Sequence, residues 1–184
     1  YEVQLCSWDT AMTDDGPMDL RATADRLVEY CLSMHYTHIE LMPITEYPLD
    51  DSWGYQTIGY FCLSGRYGKP EDMQYFINLC HRNGIGVILD WVPGHFCPDE
   101  HGLANFDGTP MFGEFLHPHW GTYTFNFDNK AVWSFLLSSA VFWAKVYHID
   151  GIRVDAVSSM LYLNYGLDTK IKHNAFGGED DLSA

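Results

Sequence analysis

Basic side chains are scarce in this sequence. Ten Lys and Arg face 25 Asp and Glu over 184 residues, a formal net charge of -15 at pH 7. Such a surface repels phosphate backbones and anionic headgroups, so neither nucleic acid nor a membrane is an expected partner, and a neutral ligand fits better. Long apolar runs are also missing. The longest, Val132 to Val146, is broken by Ser134, Ser138, Ser139 and Lys145 and falls short of the roughly 20 residues that a bilayer span needs. No charged leader with an apolar stretch and cleavage site precedes the first strand-like segment, so no targeting signal is read and a soluble protein is expected. Cysteine pairing is lacking as well. Cys6, Cys31, Cys62, Cys80 and Cys97 are odd in number and scattered, with no C-x-x-C, which argues against a disulfide framework or a zinc knuckle and fits a reducing cytoplasm.

What is present is a globular composition, 47% apolar and 19% charged, in which no repeat, low-complexity tract or linker marks a second domain. Aromatic residues make up 16% of the chain, including six Trp and twelve Tyr, which suits stacking on sugar rings as well as core packing. Four strand-like runs, Tyr1 to Leu5, His38 to Pro43, Gly86 to Val92 and Gly151 to Val157, alternate with helical patterns. The first helix carries the stripe Ala24, Leu27, Val28, Cys31 and Leu32. The second starts at Lys69-Pro70-Glu71-Asp72, with Pro in its first turn and acids at the positive end of the macrodipole, and stops at Asn83-Gly84. The third, about Asn129 to Tyr147, shows Val132, Phe135, Leu136, Ser139, Phe142, Trp143 and Val146. The order β-α-β-α-β-α-β predicts an α/β fold with a parallel sheet. Long segments without periodicity follow the second strand (Ile44 to Tyr67) and the third (Gly94 to Asp128), at the sheet edge where ligands bind in such folds. The tail from Gly166 begins no further strand.

Three segments bear on chemistry. In GIRVDAV, residues two apart in a strand share a face, so Arg153 and Asp155 are expected on one side of the sheet, with the cation keeping the carboxylate ionised. That is either an activated nucleophile or an ion pair that orders the strand. In VILDWVPGHF, an apolar strand delivers Asp90 to its end and Pro93-Gly94 then presents His95, to bond a ligand's hydroxyls or to cap the strand. In SWGYQ, Gly54 allows close backbone approach between Trp53 and Tyr55, with Gln56 beside them; Tyr55 either stacks on a pyranose with its hydroxyl hydrated or closes the loop. His117-Pro118-His119 invites a metal, but neighbouring carboxylates are absent and no metal or other cofactor is expected.

Together and in this order, these segments resemble the α-amylase superfamily. YEVQLCSW, THIELMPITEYPLDDSWGYQ, DEHGLANFDGT, HPHWGTYTFNFDN, HIDGIRVDAVSSMLYLNY and NAFGGEDDL resemble its bacterial glycogen branching enzymes, over essentially the whole chain. The resemblance implies residues 1–184 as one partial catalytic domain, the first half of a (β/α)8 TIM barrel, acting on α-glucan. It implies Asp155 as nucleophile, Arg153 as its supporting cation, His95 on sugar hydroxyls, Tyr55 as a stacking ring, Asp90 as a support, and Trp53 and Gln56 at the substrate. It also places the acid/base Glu and a third catalytic Asp beyond this chain, in the missing C-terminal half of the barrel. Where the family typically has GGREN this chain has GGEDD, with Glu179 in place of Arg. A related α-glucan hydrolase, of the maltooligosyltrehalose or debranching type, and a non-catalytic glucan-binding remnant are the alternatives.

Overall fold

The computed structural model describes residues 1–8, 18–167 and 172–184. Four sheet strands and three main helices alternate along the chain as the hydrophobic periods predict. They are β1 (Glu2–Val3), α1 (Leu20–Ser33), β2 (His38–Leu41), α2 (Pro70–Arg82), β3 (Gly86–Trp91), α3 (Lys130–Phe142) and β4 (Gly151–Val154). The strands lie side by side in sequence order. The pairs β1–β2 and β2–β3 are parallel, with Val3 opposite Leu41 and Leu41 opposite Leu89. Two compact units divide the described residues: Tyr1–Trp91 with Ser138–Arg153, and Val92–Leu137 with Val154–Ala184.

The first unit holds the sheet and its core. Ile39, Leu41, Val87 and Leu89 project from β2 and β3 into a cluster with Leu27 and Cys31 of α1, Phe76 and Cys80 of α2, and Trp143. Burying a side chain such as Phe76 contributes about 2 kcal/mol. α1 starts where the Asp19 carboxylate accepts from the Ala22 amide at 3.1 Å. Its predicted stripe is buried except for Leu32, which lies one residue round the helix from Cys31 and is exposed. α2 starts with Asp72 accepting from the Lys69 amide at 3.1 Å and gives way to Asn83 and then Gly84, whose φ of +71° needs no side-chain compromise. The third helix differs from its expected course. After Phe142 it widens into a π-helical turn, Trp143–Tyr147, ended by His148 in the left-handed region. The extra residue in that turn carries Tyr147 into the core in place of Val146, which is exposed.

The segment after β2, which shows no periodicity in sequence, contains an antiparallel pair of short strands, Thr45–Glu46 and Gly59–Leu63. Glu46 ties it down. One carboxylate oxygen accepts from the Tyr47 amide, the Ser64 hydroxyl and Arg66 Nη1, and the other from the Gly65 amide. In the second unit, three two-residue strands form an antiparallel ribbon, with Tyr123–Thr124 between His95–Phe96 and Phe115–Leu116. Strands this short hold no alternation to read. Phe96, Phe112, Phe125 and Phe135 pack edge-on or tilted beneath the ribbon, with neighbouring centroids 4.7–6.5 Å apart. Beyond β4 comes a short helix, α4 (Val157–Leu161), and then a tail with a single bridge between Tyr162 and Asp180 among the described residues.

Candidate active site

Asp90 lies on β3 in the first unit and is 1% exposed. A carboxylate so buried requires compensation. Arg153, from β4, donates from Nη1 to both carboxylate oxygens at 2.9 and 3.0 Å, and the Tyr55 hydroxyl donates to Oδ2 at 2.7 Å. The sequence suggested that the Tyr55 hydroxyl would be hydrated. It is instead bonded to Asp90, so the ring is held at its phenolic end. The backbone beneath Tyr55 is equally constrained. A side chain on Gly54 (φ +97°) would put its Cβ 2.6 Å from the Pro43 carbonyl oxygen, so only glycine lets this loop lie against the end of β2. The close approach that SWGYQ suggested therefore exists, toward Pro43. Trp53, left-handed at φ +54° and 61% exposed, points to solvent, and Gln56 is half-buried.

Asp155 belongs to the second unit and follows β4 directly. The strand was expected to run to Val157; it ends at Val154, because Ala156 turns left-handed at φ +52° and α4 starts after it. The two-residue rule for facing side chains therefore does not extend to Asp155. Its carboxylate Oδ2 lies 3.5 Å from Nε2 of His95, which is itself buried on the ribbon. Gly94, just before His95, packs close to α4: a Cβ there would lie 3.2 Å from the Ser159 hydroxyl. Chemically this is an acid at a strand end beside an imidazole, a combination able to bind a hydroxyl-rich ligand and to attack an electrophilic carbon.

Two more rings stand in series from His95. Trp120 lies with its ring 5.0 Å from the His95 ring, and His117 stacks on Trp120 at 3.9 Å with planes 14° apart. Both come from the HPHW segment, where the paired histidines pointed attention toward metals; among the described residues no cluster of three or more His, Cys, Asp or Glu could hold one. The second unit also has an open cavity of about 1120 Å³, between the ribbon and the tail, lined by Phe115, Asn126, Lys172, Asn174 and Asp181 among others. None of the predicted site residues lines it. No described helix is long and apolar enough to cross a membrane, and none of the five cysteines is in a disulfide.

Comparison with known proteins bears on both units. A 1,4-alpha-glucan branching enzyme GlgB of Chlamydia muridarum is 54% identical over 100% of this chain, and those of Halothermothrix orenii and Desulfitobacterium hafniense are 53% and 50% identical over the same span. The chain covers only 26%, 30% and 29% of those three relatives. A crystal structure of a putative alpha amylase from Salmonella typhimurium superposes with a TM-score of 0.71 at 29% identity, over 86% of this chain and 26% of that one. An alpha-amylase from Geobacillus thermoleovorans, solved with acarbose, shares the fold at a TM-score of 0.69 and 21% identity, over 84% of this chain and 39% of that one. The alternation of strands and helices is that of the first half of a (β/α)8 barrel. The alpha-amylase catalytic-domain model matches residues 9–107, more than half of the 184, and the chain belongs to that family.

Proposed function

We propose that this chain is part of a 1,4-α-glucan branching enzyme, a transferase that cuts an α-1,4-glucan and rejoins the released segment through an α-1,6 bond. The observation that carries this reading is the 50–54% identity, along all of the chain, to relatives named as branching enzymes. Residues 1–184 are read as one partial catalytic domain. A cytoplasmic location goes with unpaired cysteines and with a large store of intracellular glucan as substrate.

In this mechanism the Asp155 carboxylate attacks the anomeric carbon of a glucosyl unit. The C1–O4 bond breaks, O4 leaves with a proton from a general acid, and a covalent glycosyl ester remains. The 6-hydroxyl of another glucan then attacks the same carbon, gives up its proton to the base form of that acid, and releases Asp155 with configuration retained. The acid/base carboxyl is supplied by residues beyond this chain. His95 bonds the sugar hydroxyls, and Tyr55 stacks on the ring. Asp90 fixes Tyr55 and Arg153, the latter two residues before the nucleophile and its supporting cation. Trp53 and Gln56 line the approach of the chain. The negative net charge suits a neutral polymer and disfavours anionic ones.

The test is Asp155→Ala in the full-length protein, with branching followed by the fall in iodine staining of amylose and hydrolysis by the release of reducing ends. Activity should fall by at least about three orders of magnitude, as expected for losing a covalent nucleophile, while the melting temperature holds. Residual activity above about a thousandth of wild type would refute the nucleophile assignment. Net release of reducing ends without branch formation in the wild type would assign hydrolysis instead of transfer.

A further inference from the structure

The HPHW turn stands against the ring of His95. His95 sits on a strand of two residues, paired with Tyr123–Thr124 and with Thr124 directly opposite. So short a strand fixes the backbone and leaves the imidazole to be oriented by what stands against it. The central strand of that ribbon also pairs with Phe115–Leu116. The turn joining those two strands, residues 117–122, carries Trp120.

That turn is closed at both ends. The His117 amide donates to the Thr122 carbonyl at 2.8 Å, and the Gly121 amide, from a residue with φ +66°, donates to the His117 carbonyl at 3.0 Å. Trp120 is therefore held by the same ribbon that carries His95, and its indole stands 5.0 Å from the His95 ring at 49°. Behind it the His117 ring, 3% exposed, stacks almost parallel on the indole. His117 Nδ1 accepts from the His119 amide at 3.4 Å, which ties the ring to its own turn. Burial lowers the His117 pKa, which favours the neutral ring in the stack.

We propose that Trp120, backed by His117, is a positioning residue: a rigid aromatic wall that fixes the plane of the His95 imidazole beside Asp155. The proposal rests on the reading of His95 and Asp155 as sugar ligand and nucleophile. At 3.5 Å the His95–Asp155 pair is too long for a strong hydrogen bond, so its usefulness depends on the ring's attitude, and a small tilt moves Nε2 off the sugar hydroxyl. Misplacement of a reacting group by about 1 Å costs roughly a hundredfold in rate.

The experiment compares Trp120→Ala, Trp120→Phe and His117→Phe in the full-length protein, by branching kinetics on amylose and by the rate at which diethyl pyrocarbonate modifies His95, read by peptide mass spectrometry. Trp120→Ala should lower kcat roughly a hundredfold with little change in KM, since orientation matters most in the transition state. It should also speed His95 modification several-fold. Trp120→Phe and His117→Phe keep a stacked wall and should restore most of the rate and of the protection, even if Trp120→Ala proves too unstable to assay. A folded Trp120→Ala protein with kcat within about twofold of wild type, or with His95 modified no faster than before, overturns the proposal. Equal impairment in all three variants, with lowered melting temperatures, overturns it too, by showing a packing role alone. Failure of the nucleophile reading would show separately as activity retained in Asp155→Ala, and the contrast in His95 modification would still decide whether the wall exists.

Discussion

Asp90 is the residue whose replacement tests the first unit most directly. Asp90→Asn keeps the side-chain volume and removes the charge that Arg153 and Tyr55 share. Asp90 is 1% exposed, so water cannot substitute for lost partners on its side. Hydrogen bonds to a charged group contribute about 1.5–3 kcal/mol each. The Arg153 side chain is 42% exposed and offers one nitrogen to both oxygens, so its share belongs at the low end after solvent screening. We expect Asp90→Asn to cost about 2–3 kcal/mol and Tyr55→Phe about 1.5 kcal/mol. The double variant should cost about 1 kcal/mol less than their sum, because both act on the 2.7 Å bond. Urea unfolding gives these free energies, and in thermal unfolding followed by tryptophan fluorescence the single Asp90 change should lower Tm by about 4–12 °C. Additivity within about 0.3 kcal/mol would show that Tyr55 and Asp90 do not act together. A neutral Asp90→Asn would refute the ion pair as a source of stability.

Two further outcomes follow from backbone and charge. Gly54→Ala forces a Cβ to within 2.6 Å of the Pro43 oxygen at a positive φ, and should destabilise the protein by about 2 kcal/mol or more, read as a fall in Tm with looser protection of the amides around Tyr55. Asp150, just before β4, is opposed in its ionisation by burial, but the Val87 amide at 2.7 Å and the His81 imidazole at 2.8 Å outweigh that and hold its carboxyl below the ordinary range. A carboxyl depressed in the folded state adds stability above its unfolded pKa of about 3.9, and that stability is lost as pH falls through the lower folded value. Asp150→Asn should therefore flatten the loss of stability below about pH 4, as measured by urea midpoints across pH; an unchanged slope would remove Asp150 from the acid transition.

The strands and helices were legible because each carries its own period: Met73, Phe76, Ile77 and Cys80 are buried at helical spacing on α2, and Val87 and Leu89 alternate on β3. Ends and loops were less so. Nothing in the letters of Ala156 announces a left-handed residue, so the strand was carried on to Val157 and Asp155 was assigned a facing rule that stops at Val154. The pairings within the site were least legible of all. Spacing along GIRVDAV singles out Arg153 and Asp155 but says nothing of contacts with Asp90 or His95, because a strand pattern compares only residues of its own strand. The guanidinium meets Asp90, 63 residues earlier, and Asp155 has His95 at 3.5 Å. A motif gives the side chains that arrive at the end of a strand; which of them meet is set by the register of the neighbouring strand. The two carboxylates of DWVPGH and GIRVDAV, so alike in sequence context, accordingly have different surroundings: Asp90, on β3, is 1% exposed and held by Arg153 and Tyr55, and Asp155, after the end of β4 and before the left-handed Ala156, has the His95 imidazole at 3.5 Å.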